Sequence, residues 1–349
     1  MKHLPALDGI RAAAILIVMI SHIVTPLVPG GFGVTLFFFV SGFIITRMML
    51  SQSFGGGHLK AFYVRRVFRL APALMVFLLV SGIVMSSLGD PIPARDFVAT
   101  LCYYANYHQF TNFGHVLSPL VITWSLAVEE HFYFIFPVLL ILTRRRLVTA
   151  LTSTILAILV WRLVLVYGFH APTARTYVAT DTRLDSIAFG CLLSVMIDVR
   201  HRLLPALASR GALWASGILL LLSFAIRRDD FRETFRYTLH GLALMPIFCK
   251  LFWQEAPLQP LRAILESAVA RYVGNVSYSL YLYHFLALSV ATALLPDGAF
   301  MKACTFVSAF ALASVSYYLV ENPVRRLGSR LARSMEAATA PPAGAIERP

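Results

Sequence analysis

The stretch Thr123-Trp-Ser-Leu-Ala-Val-Glu-Glu-His-Phe-Tyr-Phe-Ile-Phe-Pro137 sets two adjacent carboxylates, Glu129 and Glu130, beside a histidine at the mouth of an apolar run that Trp124 opens. An ionisable group at the centre of a membrane helix costs roughly 2.5–3.5 kcal/mol, so a sequence that carries one generally uses it. Ser125 and Tyr133 lie four residues to either side of Glu129, on its helical face, whereas Glu130 is turned about 100° away. One acid therefore faces an interior cavity and the other the interface.

Asp8, Arg11 and His22 share one face of the apolar N-terminal segment, because the eleven residues from Arg11 to His22 make about three helical turns. A single polar stripe on such a helix must face the bundle interior or a water-filled cavity. Asp8 and Arg11 also read as an ion pair anchoring the helix entrance. His22, followed by a glycine-lined turn at Gly30–Gly33, reads as a catalytic base, oriented by Asp8 or Glu129. Ser41 and Gly42 read as packing residues that let helices approach closely. Arg66 and Arg69, i and i+3 in Phe62-Tyr-Val-Arg-Arg-Val-Phe-Arg-Leu-Ala-Pro72, can hold a phosphate-bearing ligand in two guanidinium forks. A juxtamembrane basic cluster serves topology and anionic lipid equally well. Arg183 and Asp185 open a further apolar segment, Ser277, Tyr281 and His284 recur at helical spacing, and Glu321 with Pro323 closes the last run. Cys102, Cys191, Cys249 and Cys304 show no paired spacing, which argues against a disulfide framework or a metal site.

The elements that must position these residues are membrane helices. Hydrophobic residues make up 58% of the chain and charged ones 13%, half the share of a soluble protein, with a mean hydropathy of +0.73. Apolar runs long enough to span the bilayer recur at 12–29, 31–50, 71–88, 121–143, 147–168, 184–199, 211–226, 237–253, 276–295 and 300–320. The fold class is thus all-α, a polytopic integral membrane bundle of about ten transmembrane helices over residues 1–333, followed by a disordered tail at 334–349. Residues 95–113, with Phe97, Leu101, Tyr103, Tyr104, Tyr107 and Phe110, read as an interfacial or re-entrant segment. The N-terminus reads as an uncleaved first helix, since Asp8 sits in its basic region and no small-x-small site follows Ile23. With both termini cytoplasmic, 21 Lys and Arg fall inside and 8 outside, which orients the chain in the cell inner membrane. The loop 227–236 is the exception, with four arginines outside. The net charge of +13 reports this topology, with no nucleic-acid partner required.

In chain order, LDGIRAAAILIVMISH (7–22), GGFGVTLFFFVSGFIIT (30–46), FYVRRVFRLAP (62–72), TWSLAVEEHFYFIFP (123–137), RLDSIAFG (183–190), VGNVSYSLYLYHF (273–285) and VENPVRRL (320–327) resemble the membrane acyltransferase 3 family. The resemblance implies a ten-helix core and transfer of an acyl group, acetyl above all, from acyl-CoA as co-substrate to a hydroxyl of a glycan or similar acceptor. On the matching blocks, His22 looks like the family's first-helix histidine, with Asp8 and Arg11 beside it. Arg66 and Arg69 look like its arginine pair near the acyl-CoA entrance, and Glu129 like the glutamate after Trp-Ser-Leu. His131 stands where the family usually has glutamine and Tyr283 where it commonly has tryptophan, departures that bear on the acceptor pocket. The resemblance does not extend to the extracellular esterase-like domain that some members carry.

Acyl transfer to a hydroxyl needs a base, a cationic site for the donor's phosphates and donors for the developing oxyanion. His22, Asp8 and Glu129 are the catalytic candidates, and Arg11, Arg66 and Arg69 the donor-binding ones. Trp124, Glu130, Tyr133, Arg183, Asp185, Tyr281 and His284 are candidates for substrate contact or support. A covalent acyl-histidine route stays open. The alternative reading is a transporter or flippase of sugar-lipids or small metabolites, since intramembrane charges also mark transport pathways, although no inverted repeat is visible. A scaffold would not need His22 and Glu129.

Overall fold

The computed structural model describes residues 4–51, 56–111, 118–143, 146–253 and 258–339. Lys2, Arg144, Arg145 and Arg348, all among the inner-side cations of the charge count, lie outside them, as does the tail from 340. The first helices are α1 (Pro5–Ile23), α2 (Gly30–Leu50), α3 (Gly56–Ser87), α4 (Ala94–Leu101) and α5 (Ala105–Thr111). A 3-10 turn at Pro119–Thr123 leads into α6 (Trp124–Thr143), and α7 (Leu147–Leu163) runs on through a π turn. Then come α8 (Thr173–Val178), α9 (Thr180–Asp198), α10 (Leu204–Leu207), α11 (Arg210–Ala225), α12 (Asp229–Thr234), α13 (Arg236–Phe252) and α14 (Gln259–Leu265). Finally α15 (Ala268–Leu294) and α16 (Ala299–Ser316) lead through a second π turn, Tyr317–Glu321, into α17 (Asn322–Thr339).

Each of the ten spans read from the sequence falls on a helix. Among the described residues, seven helices are long and apolar enough to cross a membrane. The other three are α9, interrupted by Asp181, Arg183 and Asp185, and the shorter α11 and α13, of 16 and 17 residues. The molecule is a multi-pass membrane bundle. Its outer surface agrees, since Leu142, Trp214 and Val307 are 78%, 77% and 70% exposed and need lipid around them.

Three boundaries differ from the sequence reading, with consequences for the site. The first helix begins at Pro5, where proline is preorganised for the first turn, and stops at Ile23 before Pro26 and Pro29. His22 is therefore in its last turn and exposed, not in the body of a span from 12 to 29. Gly30–Gly33 is not a turn but the start of α2, with the connection at 24–29. At the other end, α17 continues to Thr339, past the Arg333 at which the tail was expected to begin, because its amphipathic sequence packs along α3. The described part of the 95–113 segment, up to Thr111, holds the short helices α4 and α5, and residues 112 and 113 lie outside the described residues.

Backbone proximity organises the centre. A Cβ on Gly42 of α2 would overlap the Ile187 carbonyl of α9, and one on Gly190 of α9 would overlap the Phe39 carbonyl of α2. Small residues let membrane helices pack this closely. On the other side of α2, Gly33 lies against the Ala14 carbonyl of α1, and Gly274 of α15 against the Asp8 backbone of α1. The row α15, α1, α2, α9 that results is pinned at its edge by a fully buried ion pair. Arg162 of α7 donates to Asp185 at 2.6 Å, to the Thr182 carbonyl at 2.7 Å and to Thr238 of α13 at 2.5 Å. Both side chains are 0% exposed, so removal of either would strand a charge.

The reciprocal glycine contact gives a stability test. Gly190→Ala should destabilise the protein by about 1–3 kcal/mol through overpacking, read as a lower unfolding midpoint in detergent. Gly217→Ala, where an added Cβ meets nothing within 4 Å, should not lower it.

Candidate active site

The candidate residues divide between two cavities. The first, about 260 Å³, is walled by α1, α2, α3, α6, α15 and α17. Its cations are Arg11, Arg65, Arg66, Arg69 and Arg325. The helix α3 runs unbroken from Gly56 through Pro72, so Arg66 and Arg69 lie on a transmembrane helix one turn apart rather than in a loop before it. Glu129 accepts from Ser41 and from Tyr133, each at 2.9 Å, and the Arg66 guanidinium stacks 3.3 Å from the centre of the Tyr133 ring. Four buried guanidinium nitrogens of this cavity have no hydrogen-bond partner: Nε of Arg65, Nε and Nη2 of Arg66, and Nε of Arg69. Buried polar groups are nearly always paired, so these cavity-lining nitrogens are open donors that an anion would satisfy. Glu130 is outside the cavity lining, as its helical angle predicts.

Phe37, Phe38, Ile44 and Ile45 line the apolar part of this cavity, and Ser125 and Tyr281 contribute hydroxyls. The Tyr281 hydroxyl donates to the Ile122 carbonyl at 3.0 Å and bonds Ser125 Oγ at 2.7 Å. Its ring lies 6.1 Å from that of Phe37 and 5.7 Å from that of His284. Tyr281 is thus the wall between the arginine cavity and the histidines.

The second cavity, about 400 Å³, opens beyond that wall and is lined by Ser21, His22, Thr25, Asp297, Met301 and Lys302 among others. Behind His22 sits His284, fully buried, with Nε2 2.9 Å from His22 Nδ1 and the two ring planes within 5° of each other. The other His284 nitrogen, Nδ1, is 2.7 Å from the Tyr281 carbonyl. A carbonyl only accepts, so that Nδ1 carries the proton, and in the neutral ring Nε2 is bare. The bare Nε2 must accept from His22 Nδ1–H, which leaves His22 Nε2 without a proton. The backbone of α15 thereby sets the tautomer of a ring on α1, and the base it creates belongs to the exposed ring.

Neither proposed orienting acid reaches His22. Asp8, fourteen residues away on the same straight helix, is about 21 Å along the axis and is buried where α1 meets α15. Glu129 belongs to the arginine cavity. The shared face of α1 is real, but its ends serve different compartments, Arg11 the first and His22 the second. Trp124 and Arg183 stand behind the first cavity rather than in its lining. Arg183 is fully buried, donates to Thr35 at 3.2 Å and lies 3.9 Å from the Tyr237 ring and 5.6 Å from Trp124. Asp185 is committed to Arg162. Glu321 closes no exposed helix end; it is buried and accepts from Ser279 at 2.8 Å. Sequence reasoning missed Ser41, taken as packing, and Tyr278, Arg325 and Ser329. The block VENPVRRL contained the signal for Arg325.

A multi-pass bundle with a guanidinium cavity and a histidine pair is the class of protein that the sequence blocks resemble. The acyltransferase 3 family model, described as an acyltransferase domain, matches residues 4–320, and the chain belongs to that family. It is 30% identical over 354 residues to the peptidoglycan O-acetyltransferase OatA of Listeria monocytogenes, covering 94% of this chain and 56% of that protein. It is 28% identical over 358 residues to the O-acetyltransferase OatA of Staphylococcus aureus, covering 94% of this chain and 58% of that protein. The chain thus spans under two thirds of the length of these relatives. No solved structure matches.

The tautomer assignment is testable by acylation with diethyl pyrocarbonate, which needs a bare, accessible imidazole nitrogen. In the folded protein His22 should be modified readily and His284 only after denaturation, as read by peptide mass spectrometry. Equal modification of both would contradict the bonded pair.

Proposed function

We propose that the protein is a membrane O-acetyltransferase that takes an acetyl group from acetyl-CoA in the cytoplasm and delivers it to a glycan hydroxyl on the opposite side of the inner membrane. The observation that carries this reading is the placement of unpaired guanidinium nitrogens and a bare imidazole nitrogen in separate cavities either side of Tyr281. The positive-inside distribution supports an arginine cavity on the cytoplasmic side, with both termini there too. A cell-wall glycan is the favoured acceptor, since a relative is named for peptidoglycan.

On this reading the donor's phosphates meet Arg11, Arg66 and Arg69, and its thioester arm runs along Phe37 and Phe38 toward Tyr281. His22 Nε2 takes the proton of the acceptor hydroxyl as the oxygen attacks the thioester carbonyl, the C–S bond breaks and the thiolate leaves to be protonated. His284 accepts from the resulting imidazolium and keeps its ring in place, while Glu129 holds Tyr133 beneath Arg66. A positioned base of this kind contributes about 10²–10⁴ in rate. For thioester and hydroxyl to meet, the Tyr281 side chain must leave its bonds to Ser125 and the Ile122 carbonyl.

Membranes containing the protein, given labelled acetyl-CoA and glycan, should form an alkali-labile acetyl ester on the glycan. His22→Ala should abolish the product with expression and insertion intact; more than about a tenth of wild-type turnover would be too much to survive loss of a base worth that factor. Cargo movement with no acetyl-CoA consumed would favour the transporter reading instead.

The donor side has its own test. Arg66→Lys and Arg69→Lys keep the charge but lose the fork, so each should weaken acetyl-CoA binding. Unchanged affinity in both variants would return these arginines to a topological role.

A further inference from the structure

We infer that the C-terminal helix α17 is part of the donor site, and that Arg325 is a phosphate ligand for the acyl donor. The inference rests on the arginine cavity being the donor site and adds a binding residue from the far end of the chain.

Three features place Arg325 there. The π turn at Tyr317–Glu321 adds residues to the helical path between α16 and α17, and such an insertion re-aims the helix on its C-terminal side. Beyond the turn, α17 lies along α3, the helix that carries Arg66 and Arg69. Second, this packing has no slack: Gly328 is buried, and a Cβ there would overlap Phe68 of α3. Third, the outer end of α17 is tied to α3 by Arg65, which donates to Glu336 at 2.7 Å. Between these fixed points Arg325 and Ser329, one turn apart, both line the cavity.

Arg325 is prepared for an anion rather than neutralised by one. Its Nη2 donates to Asn322 Oδ1 at 3.1 Å and to the Tyr317 hydroxyl at 3.5 Å, both uncharged oxygens, and its guanidinium lies 5.9 Å from the Tyr317 ring. Among the described residues no carboxylate lies within ion-pair distance of Arg325. Of the cavity's five arginines, only Arg65 has such a partner among the described residues. A donor with several phosphate charges matches that excess; a neutral acyl lipid does not. The ligand class is therefore a coenzyme A-type thioester, gripped by its phosphates between α3 and α17.

The test uses the full chain in detergent, with coenzyme A and pantetheine, the phosphate-free arm, as calorimetric probes. Arg325→Ala should weaken coenzyme A binding by about tenfold, as loss of one charge-assisted contact does, and leave pantetheine binding unchanged. Arg325→Lys should recover part of it, and Arg326→Ala, on the exposed side of α17, should bind both like the wild type. Gly328→Val, which pushes α17 off Phe68, should reproduce the loss with Arg325 present. Equal weakening toward coenzyme A and pantetheine would make the effect structural and overturn the inference. Wild-type coenzyme A binding by Arg325→Ala, with binding lost in Arg66→Ala, would overturn it while leaving the donor site in place. If neither Arg66→Ala nor Arg325→Ala weakened coenzyme A, the donor-site reading itself would fall.

Discussion

The approach of α1 to α15 is the constraint on which the histidine site depends. Gly274 leaves room for the Asp8 backbone at one end of this interface, and at the other His22 and His284 come within 2.9 Å. Glycine has no other property that a membrane helix needs here; what it supplies is distance. A helix pair held farther apart would leave His284 with a bare, buried nitrogen and His22 with no fixed tautomer. The carbonyl of Tyr281 then does the rest, because it accepts only and so dictates the proton on His284 Nδ1. A packing fact at one face of the bundle thereby becomes a statement about which nitrogen is a base at the other.

Polar groups elsewhere in the bundle follow two opposite rules. Around Arg162 and Asp185 the protein satisfies charge internally, with a carboxylate, a carbonyl and a hydroxyl converging on one guanidinium. Breaking that network would leave a charge in a medium that solvates it poorly, so it fixes α7, α9 and α13 relative to one another. Around Arg66 and Arg69 the protein withholds partners, and buried guanidinium nitrogens stay open. Cation–π contact with Tyr133 and the second-hand influence of Glu129 make that tolerable without neutralising it. Open nitrogens alone do not separate the two groups, since Nε of Arg162 and Nε and Nη1 of Arg183 are unpaired as well; what sets Arg66 and Arg69 apart is that they line a cavity.

Much of this was legible in the chain. Apolar runs placed ten helices, and the 100° step between neighbours on a helix correctly divided Glu129, in the cavity, from Glu130, outside it. Periodicity failed at ends, where local chemistry decides. Pro26 and Pro29 stop α1 early and turn His22 from an interior residue into an exposed one, a signal present in the sequence but outweighed there by the apolar run around it. The Ala- and Pro-rich composition after Arg333 concealed the continuation of α17, where Glu336 is tied to Arg65 of α3. Pairings were out of reach for a simpler reason: His22 and His284 are 262 residues apart, and Ser41 and Glu129 are 88 apart. Spacing along one helix says which way a residue faces and nothing about which residue faces it.

The division into two cavities changes what the candidate residues must accomplish. Eleven residues of α1 separate Arg11 from His22, about 16 Å of rise, and Tyr281 stands between their compartments. On the proposed reading the phosphates of the donor never need to leave the cytoplasmic side, because only the thin, apolar end of the thioester arm must pass. A tyrosine suits that boundary. Its ring seals the apolar path against Phe37 while its hydroxyl is held by Ser125 and a backbone carbonyl, bonds that a side-chain rotation breaks without moving a helix. The barrier between the arginine cavity and His22 is then two side chains, Tyr281 and His284, and the charged groups that would be costly to move across the bilayer stay where the helices fix them.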